Sequence, residues 1–228
     1  MTFSRFILLS SIIVSGTCLH CKASTPDDAD EYEVWDIIST TSGQPAFPAE
    51  NLETCHADET PFTIMGAPKV DAATMHRFVS AYNADFPMEI AQAYHSLGLK
   101  YGIRGDVALC QAIVETGWFR FADGTAVTPD QHNYCGLGVT SRGMKGSAFE
   151  CVEDGVRAQL QHLYAYACRE PLPEGEQLID PRFSLVQRGV APTWMDLSGR
   201  WAANDHYGMQ IRRLYERLLQ MASEQASK

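Results

Sequence analysis

The sequence predicts a mainly α-helical domain with a small β element, on three observations. Apolar residues recur at helical spacing in separate stretches between Asp71 and Leu218. Two short runs of strand character, NYCGLGV (Asn133 to Val139) and SAFECV (Ser147 to Val152), lie close together in a region rich in Gly, Asp, Pro and Asn. No internal repeat or low-complexity tract competes with this pattern.

The chain has 228 residues, enough for one domain with a real core and some additional segments. Residues 1–23 read as a signal peptide. Arg5 supplies a positive start, FILLSSIIV an apolar run too short to span a bilayer, and Cys21-Lys22-Ala23 a small-x-small cleavage site. Residues 24–61 read as an acidic linker, expected to be disordered. The domain is expected over residues 62–228, starting at PFTIMGAPKV.

Within it, Asp71 caps a short helix whose apolar side is Met75, Phe78 and Val79. Pro87 opens a second, with Ile90, Ala91, Tyr94 and Leu97 at helical spacing, and Gly98 and Gly102 interrupt before the next. Asp106 caps a third, with Val107, Leu109, Ala112 and Ile113 as core. NYCGLGV and SAFECV are expected to pair as a small hairpin. Gly155 opens a helix with Val156, Leu160, Leu163 and Ala167 on one face. A last amphipathic helix carries Tyr207, Ile211, Leu214 and Leu218.

Charge and motifs exclude several functions. The chain carries a net charge of −10, and residues 1–23 hold only Arg5 and Lys22. Ten Asp or Glu and no Lys or Arg lie between Ser24 and Pro61, which leaves −2 for Phe62 to Lys228. The acidity therefore belongs to the linker. No basic patch favours nucleic acid. No HExxH, CxxC in the mature chain, GxxxxGK[ST] or GxGxxG occurs, so no metal, nucleotide or other cofactor is expected. No later run is long and apolar enough to cross a membrane. The expected product is an exported monomer in the periplasm, at the cell wall or secreted. Five Cys remain after cleavage, an odd number. If the hairpin arms pair, Cys135 and Cys151 come within reach of a disulfide; two free thiols on facing strands is the equal alternative.

The most informative stretch is DVALCQAIVETGWF (Asp106 to Phe119), an apolar helix that ends on Glu115. The negative end of the helix dipole and apolar neighbours such as Val114 and Trp118 both disfavour an ionised carboxyl and raise its pKa. A carboxyl that keeps its proton near neutral pH can protonate a leaving group, as glycoside hydrolysis requires. Trp118, Phe119 and Phe121 are candidates to stack on sugar rings. Taken alone, the window favours an exposed Glu at a frayed helix end beside core aromatics.

The wider sequence shifts that balance. DVALCQAIVETGWFRF, HNYCGLG, GVRAQLQHLYAYA, DPRFSLVQRGVAPTWMDLSGRWA and YGMQI occur in order and resemble the glucosaminidase domain of glycoside hydrolase family 73 from about Phe62 to Met221. The resemblance implies a lysozyme-like helical fold with a small β-hairpin lobe beside the active-site cleft. It implies cleavage of peptidoglycan glycan strands on the reducing side of N-acetylglucosamine. By position, Glu115 matches the catalytic glutamate. Asn133 and Tyr134 match a cleft-lining Asn-x-Phe-Gly segment, in which Cys135 stands where an aromatic is common. WAANDHYGMQI resembles a segment whose two tyrosines correspond to Trp201 and Tyr207, the first of them implicated in catalysis. Val114 stands where His often precedes the glutamate.

Two-carboxylate hydrolysis needs a second acidic group across the cleft. Glu150, on the expected β lobe, ranks first and Asp123 second, with Asp130 nearby; Glu153 and Asp154 read as caps of the next helix. The substrate's own N-acetyl group is a further candidate nucleophile. The candidate catalytic residues are thus Glu115, Glu150 and Tyr207, and the candidate substrate contacts Trp118, Asn133, Tyr134, Trp201 and Asp123. Competing readings are a muramidase or lytic transglycosylase acting on the other glycosidic bond, a wall thiol peptidase using Cys110 with His132 or His162, and a non-catalytic wall-binding module.

Overall fold

Among the described residues, five α-helices follow from the apolar pattern: α1 (Ala72–Ser80), α2 (Met88–Tyr101), α3 (Gly105–Thr116), α4 (Val152–Ala167) and α5 (Tyr207–Ala226). They are seen in a computed structural model that describes residues 61–122, 125–139 and 143–227. The proposed signal peptide, nearly all of the acidic linker and Asp123 lie outside the described residues. None of the described helices is long and apolar enough to cross a membrane.

Asp71 caps α1 as expected, its side chain accepting from Thr74 N at 2.8 Å, and that backbone bond chiefly holds its carboxyl below the ordinary value. Met75, Phe78 and Val79 are the buried face. Pro87 precedes α2, which ends at Gly102 in the left-handed conformation, φ 61°. Gly98 does not interrupt that helix. It lies inside α2, where a Cβ would come within 2.9 Å of Gly105 Cα. Gly105 is tighter still, since its own Cβ would meet Tyr94 O at 1.9 Å. The two glycines let the first turn of α3 lie directly on α2.

All of α3 is buried, from Gly105 to Thr116. A helix covered on every side belongs at the centre of a domain, and α3 packs against α1, α2 and α5 while α4 covers α2. Asp106 is not the cap expected of it. It sits in the first turn of α3, fully buried, and accepts from Lys69 N at 2.7 Å and Val70 N at 3.2 Å. It thereby ties the approach to α1 onto α3.

The segment from Phe62 is clamped on both sides by backbone bonds: Ile64 N to Pro192 O (3.0 Å), Trp194 N to Phe62 O (2.9 Å) and Arg104 N to Ile64 O (3.0 Å). These contacts form isolated bridges and no strand among the described residues.

The expected hairpin is likewise not formed among the described residues. Its arms meet through Ser147 N to Leu137 O (2.7 Å), and Phe149 N reaches Gln131 O (2.9 Å) before the first arm, without a ladder. The reason lies in Asn133. Its amide nitrogen donates to Leu137 O at 2.8 Å and Ser147 O at 2.9 Å, and its oxygen accepts from Leu137 N at 3.0 Å. One side chain satisfies the groups that a strand pair would have used. Cys135 and Cys151 are both free thiols, the first buried and the second exposed at the cap of α4, so they form no bridge. Gly155 does not open α4, which begins at Val152; Glu153 and Asp154 occupy its first turn, where the helix dipole favours them.

Glu176 fastens the ends of α2 and α4. Lys100, Tyr101 and Arg157 all reach its carboxylate, whose side chain is 2% exposed. Burial pushes that carboxyl up, but the three partners outweigh it and hold it at about 2. A folded-state value below the unfolded one contributes stability above the unfolded value and loses it as pH falls toward 2. Glu176→Gln should therefore lower the thermal midpoint at pH 7 by ~3–8 °C, with the deficit shrinking below about pH 4.5. Thermal melts at pH 3, 5 and 7 test this; a deficit equal at all three pH values counts against it.

Candidate active site

Glu115 lies in the last turn of α3, and the chain leaves that helix in an unusual way. Gly117 is left-handed (φ 58°), and Trp118 (φ 65°), Phe119 (φ 57°) and Phe121 (φ 48°) are left-handed without being glycine. Such residues cost ~1–2 kcal/mol each and persist where neighbours overdetermine them. Here Asn83 Nδ2 donates to Trp118 O at 3.1 Å and Phe119 O at 3.2 Å, while Trp118 N donates to Ile113 O at 3.0 Å. The rings turn inward. Trp118 stacks on Tyr82 at 3.8 Å, and Phe119 packs on Phe86 at 4.7 Å and Tyr134 at 5.7 Å. Trp118 and Phe119 are buried and pack within the turn, while Phe121, the third aromatic of this stretch, is half-buried.

This anchoring holds Glu115 inside the domain, 2% exposed. Tyr207, the first residue of α5, donates its hydroxyl hydrogen to Glu115 Oε1. The other oxygen, Oε2, is buried without a hydrogen bond of good geometry. Burial raises the carboxyl to about 8, against the smaller opposing effects of Tyr207 and the Trp201 indole. Desolvation thus outweighs hydrogen bonding, and Glu115 keeps its proton at neutral pH. Burial and the Glu115 charge push the Tyr207 phenol well above its ordinary value, so Tyr207 also stays protonated.

Trp201 is 1% exposed and packs edge-on to His162 at 5.0 Å. His162 Nδ1 lies 2.8 Å from Asp180 Oδ2, both residues being buried. Cys135 completes this side. Burial, then the charges of Glu115 and Asp180, raise its thiol well above the ordinary value. Cys110 is buried and raised in the same way, chiefly by burial, which makes a poor nucleophile of it.

The other sequence-derived candidates are placed as follows. Tyr134 is buried against Phe119 and Phe121. Asn133 is fully buried, with both ends of its amide engaged in its own loop. Glu150 is exposed at a bend just before α4. The structure therefore brings together Glu115, Tyr207, Trp201 and Cys135. Sequence reasoning passed over Gln111, Gln159 and the His162–Asp180 pair. Gln111 had a legible signal: it is a polar residue one helical turn before Glu115 in an otherwise apolar run. No cluster of three or more His, Cys, Asp or Glu that could hold a metal occurs among the described residues.

A mainly helical domain with a buried, proton-retaining glutamate braced by a tyrosine suits acid catalysis on an uncharged leaving group. The chain belongs to the glucosaminidase family, described as mannosyl-glycoprotein endo-β-N-acetylglucosaminidase, which matches residues 91–220. That span contains Gln111, Glu115, Asn133, Trp201 and Tyr207. An uncharacterized protein of Borreliella burgdorferi is 36% identical over 131 residues, covering 58% of this chain and 62% of the relative. The chain thus matches less than two thirds of that relative's length. No solved structure matches.

Proposed function

We propose that this protein is an exported peptidoglycan hydrolase that cleaves the β-1,4 bond on the reducing side of N-acetylglucosamine, with Glu115 as general acid. The observation that carries this reading is the Glu115 carboxyl itself, raised to about 8 by burial, with one oxygen bound by Tyr207 and the Trp201 indole close by. Family membership supports the class of bond.

In this mechanism neutral Glu115 transfers its proton to the glycosidic oxygen as the bond to the anomeric carbon breaks. Tyr207 then stabilises the carboxylate that forms, by a bond already in place. With only 2% of Glu115 exposed, a glycan reaches Oε2 when the side chains around the carboxyl part. The oxocarbenium-like centre is met by water directed by Glu150 or Asp123, or by the substrate's N-acetyl group. Trp201, beside the carboxyl, borders the sugar site, and Asn133 acts by shaping the 133–137 loop. Residues 1–23 deliver the enzyme to the wall.

Digestion of purified cell walls followed by mass spectrometry tests this. Fragments ending in reducing N-acetylglucosamine are expected. Reducing or anhydro muramic ends would reassign the bond to a muramidase or lytic transglycosylase, and intact walls would leave a binding module. The rate should also fall above about pH 8 as Glu115 ionises.

A further inference from the structure

We propose that Tyr94, Gln159 and Gln111 form a buried, one-directional hydrogen-bond relay that turns the Tyr207 hydroxyl hydrogen onto Glu115 Oε1 and so places the acid proton of Glu115 on Oε2. Gln111 and Gln159 are positioning residues in this scheme; neither touches the substrate. The catalytic consequence rests on Glu115 being the general acid, whereas the direction of the relay does not.

The direction follows from one atom that has no choice. The backbone carbonyl of Ala108, on α3, can only accept. It lies 3.2 Å from the side-chain amide of Gln159, on α4, so the nitrogen of that amide faces it. The same nitrogen is 2.9 Å from the Gln111 amide, which must therefore present its oxygen. Gln159 Oε1 is left for Tyr94, whose hydroxyl donates to it at 2.5 Å. With its oxygen committed to Gln159, Gln111 turns its nitrogen to Tyr207, donating to the hydroxyl oxygen at 2.9 Å. The Tyr207 hydrogen is then directed to Glu115 Oε1.

Reversing any link sets two donors or two acceptors face to face. Tyr94, Gln111, Gln159 and Tyr207 are all 0% exposed, so water cannot repair the mismatch. A proton on Glu115 Oε1 would meet the Tyr207 hydrogen head-on. The proton is therefore carried by Oε2, the oxygen without a hydrogen bond of good geometry. Tyr207 does not bind that atom, so transfer from it to a leaving group leaves the Tyr207–Glu115 bond in place. The titratable groups that face Glu115 are Tyr207 from α5 and Cys135 from the loop, and both stay protonated in the neutral range.

The test is a double-mutant cycle on the full-length protein, read by carbon NMR titration of glutamate labelled at the carboxyl. The Glu115 signal is identified by its loss in Glu115→Gln. In Gln111→Leu the Tyr207 hydroxyl is free to turn and accept the acid proton, which favours the neutral acid. The Glu115 midpoint should rise by ~0.5–1 pH unit, and kcat should fall more than KM changes. In a Tyr207→Phe background the same substitution should leave the midpoint unmoved. Gln159→Met, which releases Gln111 to flip, should act in the same direction and be equally silent without Tyr207.

A shift of equal size with and without Tyr207, or no shift in either variant, overturns the relay. Should neither variant fold, hydrogen-bond scalar couplings of the Tyr207 hydroxyl proton in the wild type decide. Coupling across to the Glu115 carboxyl supports the relay, and coupling to Gln111 overturns it. Wild-type wall digestion is scored separately. Its absence removes the glycosidase reading and leaves the titration result standing.

Discussion

Glu115→Gln is expected to abolish wall hydrolysis and to make the folded protein more stable at neutral pH. The first effect follows from removing the transferable proton while keeping the side-chain shape. A loss of at least ~10²–10⁴-fold is expected of a general acid. The second follows from linkage. The folded-state value of Glu115, about 8, lies above the 4.5 of an unperturbed glutamate. Between those two values the unfolded chain has released a proton that the folded chain still holds. Stability is therefore fully present below about pH 4.5 and declines by ~1.4 kcal/mol per pH unit as pH rises toward 8, an upper figure for one group. Glutamine has no such loss. Urea unfolding of both proteins at pH 5, 6, 7 and 8 should show a gap that widens with pH, beside near-zero clearing of walls by the variant. A variant that clears walls at the wild-type rate removes Glu115 from the chemistry. A gap that stays constant with pH shows that Glu115 is not held neutral.

Gly155→Ala has the largest expected structural effect, with a sign opposite to helix propensity. Alanine in the middle of a helix is ordinarily favoured over glycine by ~1 kcal/mol. Gly155 lies in the first turns of α4, against the loop that carries Asn133 and Cys135. A Cβ there would come within 1.7 Å of His132 O and 3.1 Å of the Tyr134 ring. His132 O is backbone, and His132 is itself left-handed at φ 49°, so it cannot swing aside as a side-chain tip would. Either α4 or residues 132–135 must shift. A loss of ~2–4 kcal/mol is expected, lowering the thermal midpoint by ~5–15 °C. Because the loop places Cys135 beside Glu115, activity should fall with it even at temperatures where the variant remains folded. A melting temperature equal to or above wild type would show that the contact relaxes cheaply.

Helices α1 and α5 were legible because each buries a stripe of apolar residues at a spacing that only a helix can bring to one side: Met75, Phe78 and Val79 in α1, Tyr207, Ile211, Leu214 and Leu218 in α5. The hairpin was misread because its arms have strand-like composition, while Asn133 contributes a side-chain amide that takes the place of a ladder. Asp106 was misread as a cap because a carboxylate near a helix start suits that role; its partners, the Lys69 and Val70 amides, come from 37 and 36 residues earlier. The stacking partner of Trp118, Tyr82, lies 36 residues earlier and was not legible in the sequence.

The sequence by itself determined that Glu115 closes an apolar helix and that its neighbours are bulky, while leaving open whether that helix end is dry or exposed. Those are local properties, set by residues within one or two helical turns. It also determined the family, through blocks that keep their order along the chain. Only the tertiary structure decided which groups meet that carboxyl. Tyr207 comes from 92 residues away, and Gln159 reaches Gln111 across 48. Hydrogen bonds are short and directional, so their partners are set by how α3, α4 and α5 pack rather than by any pattern along the chain.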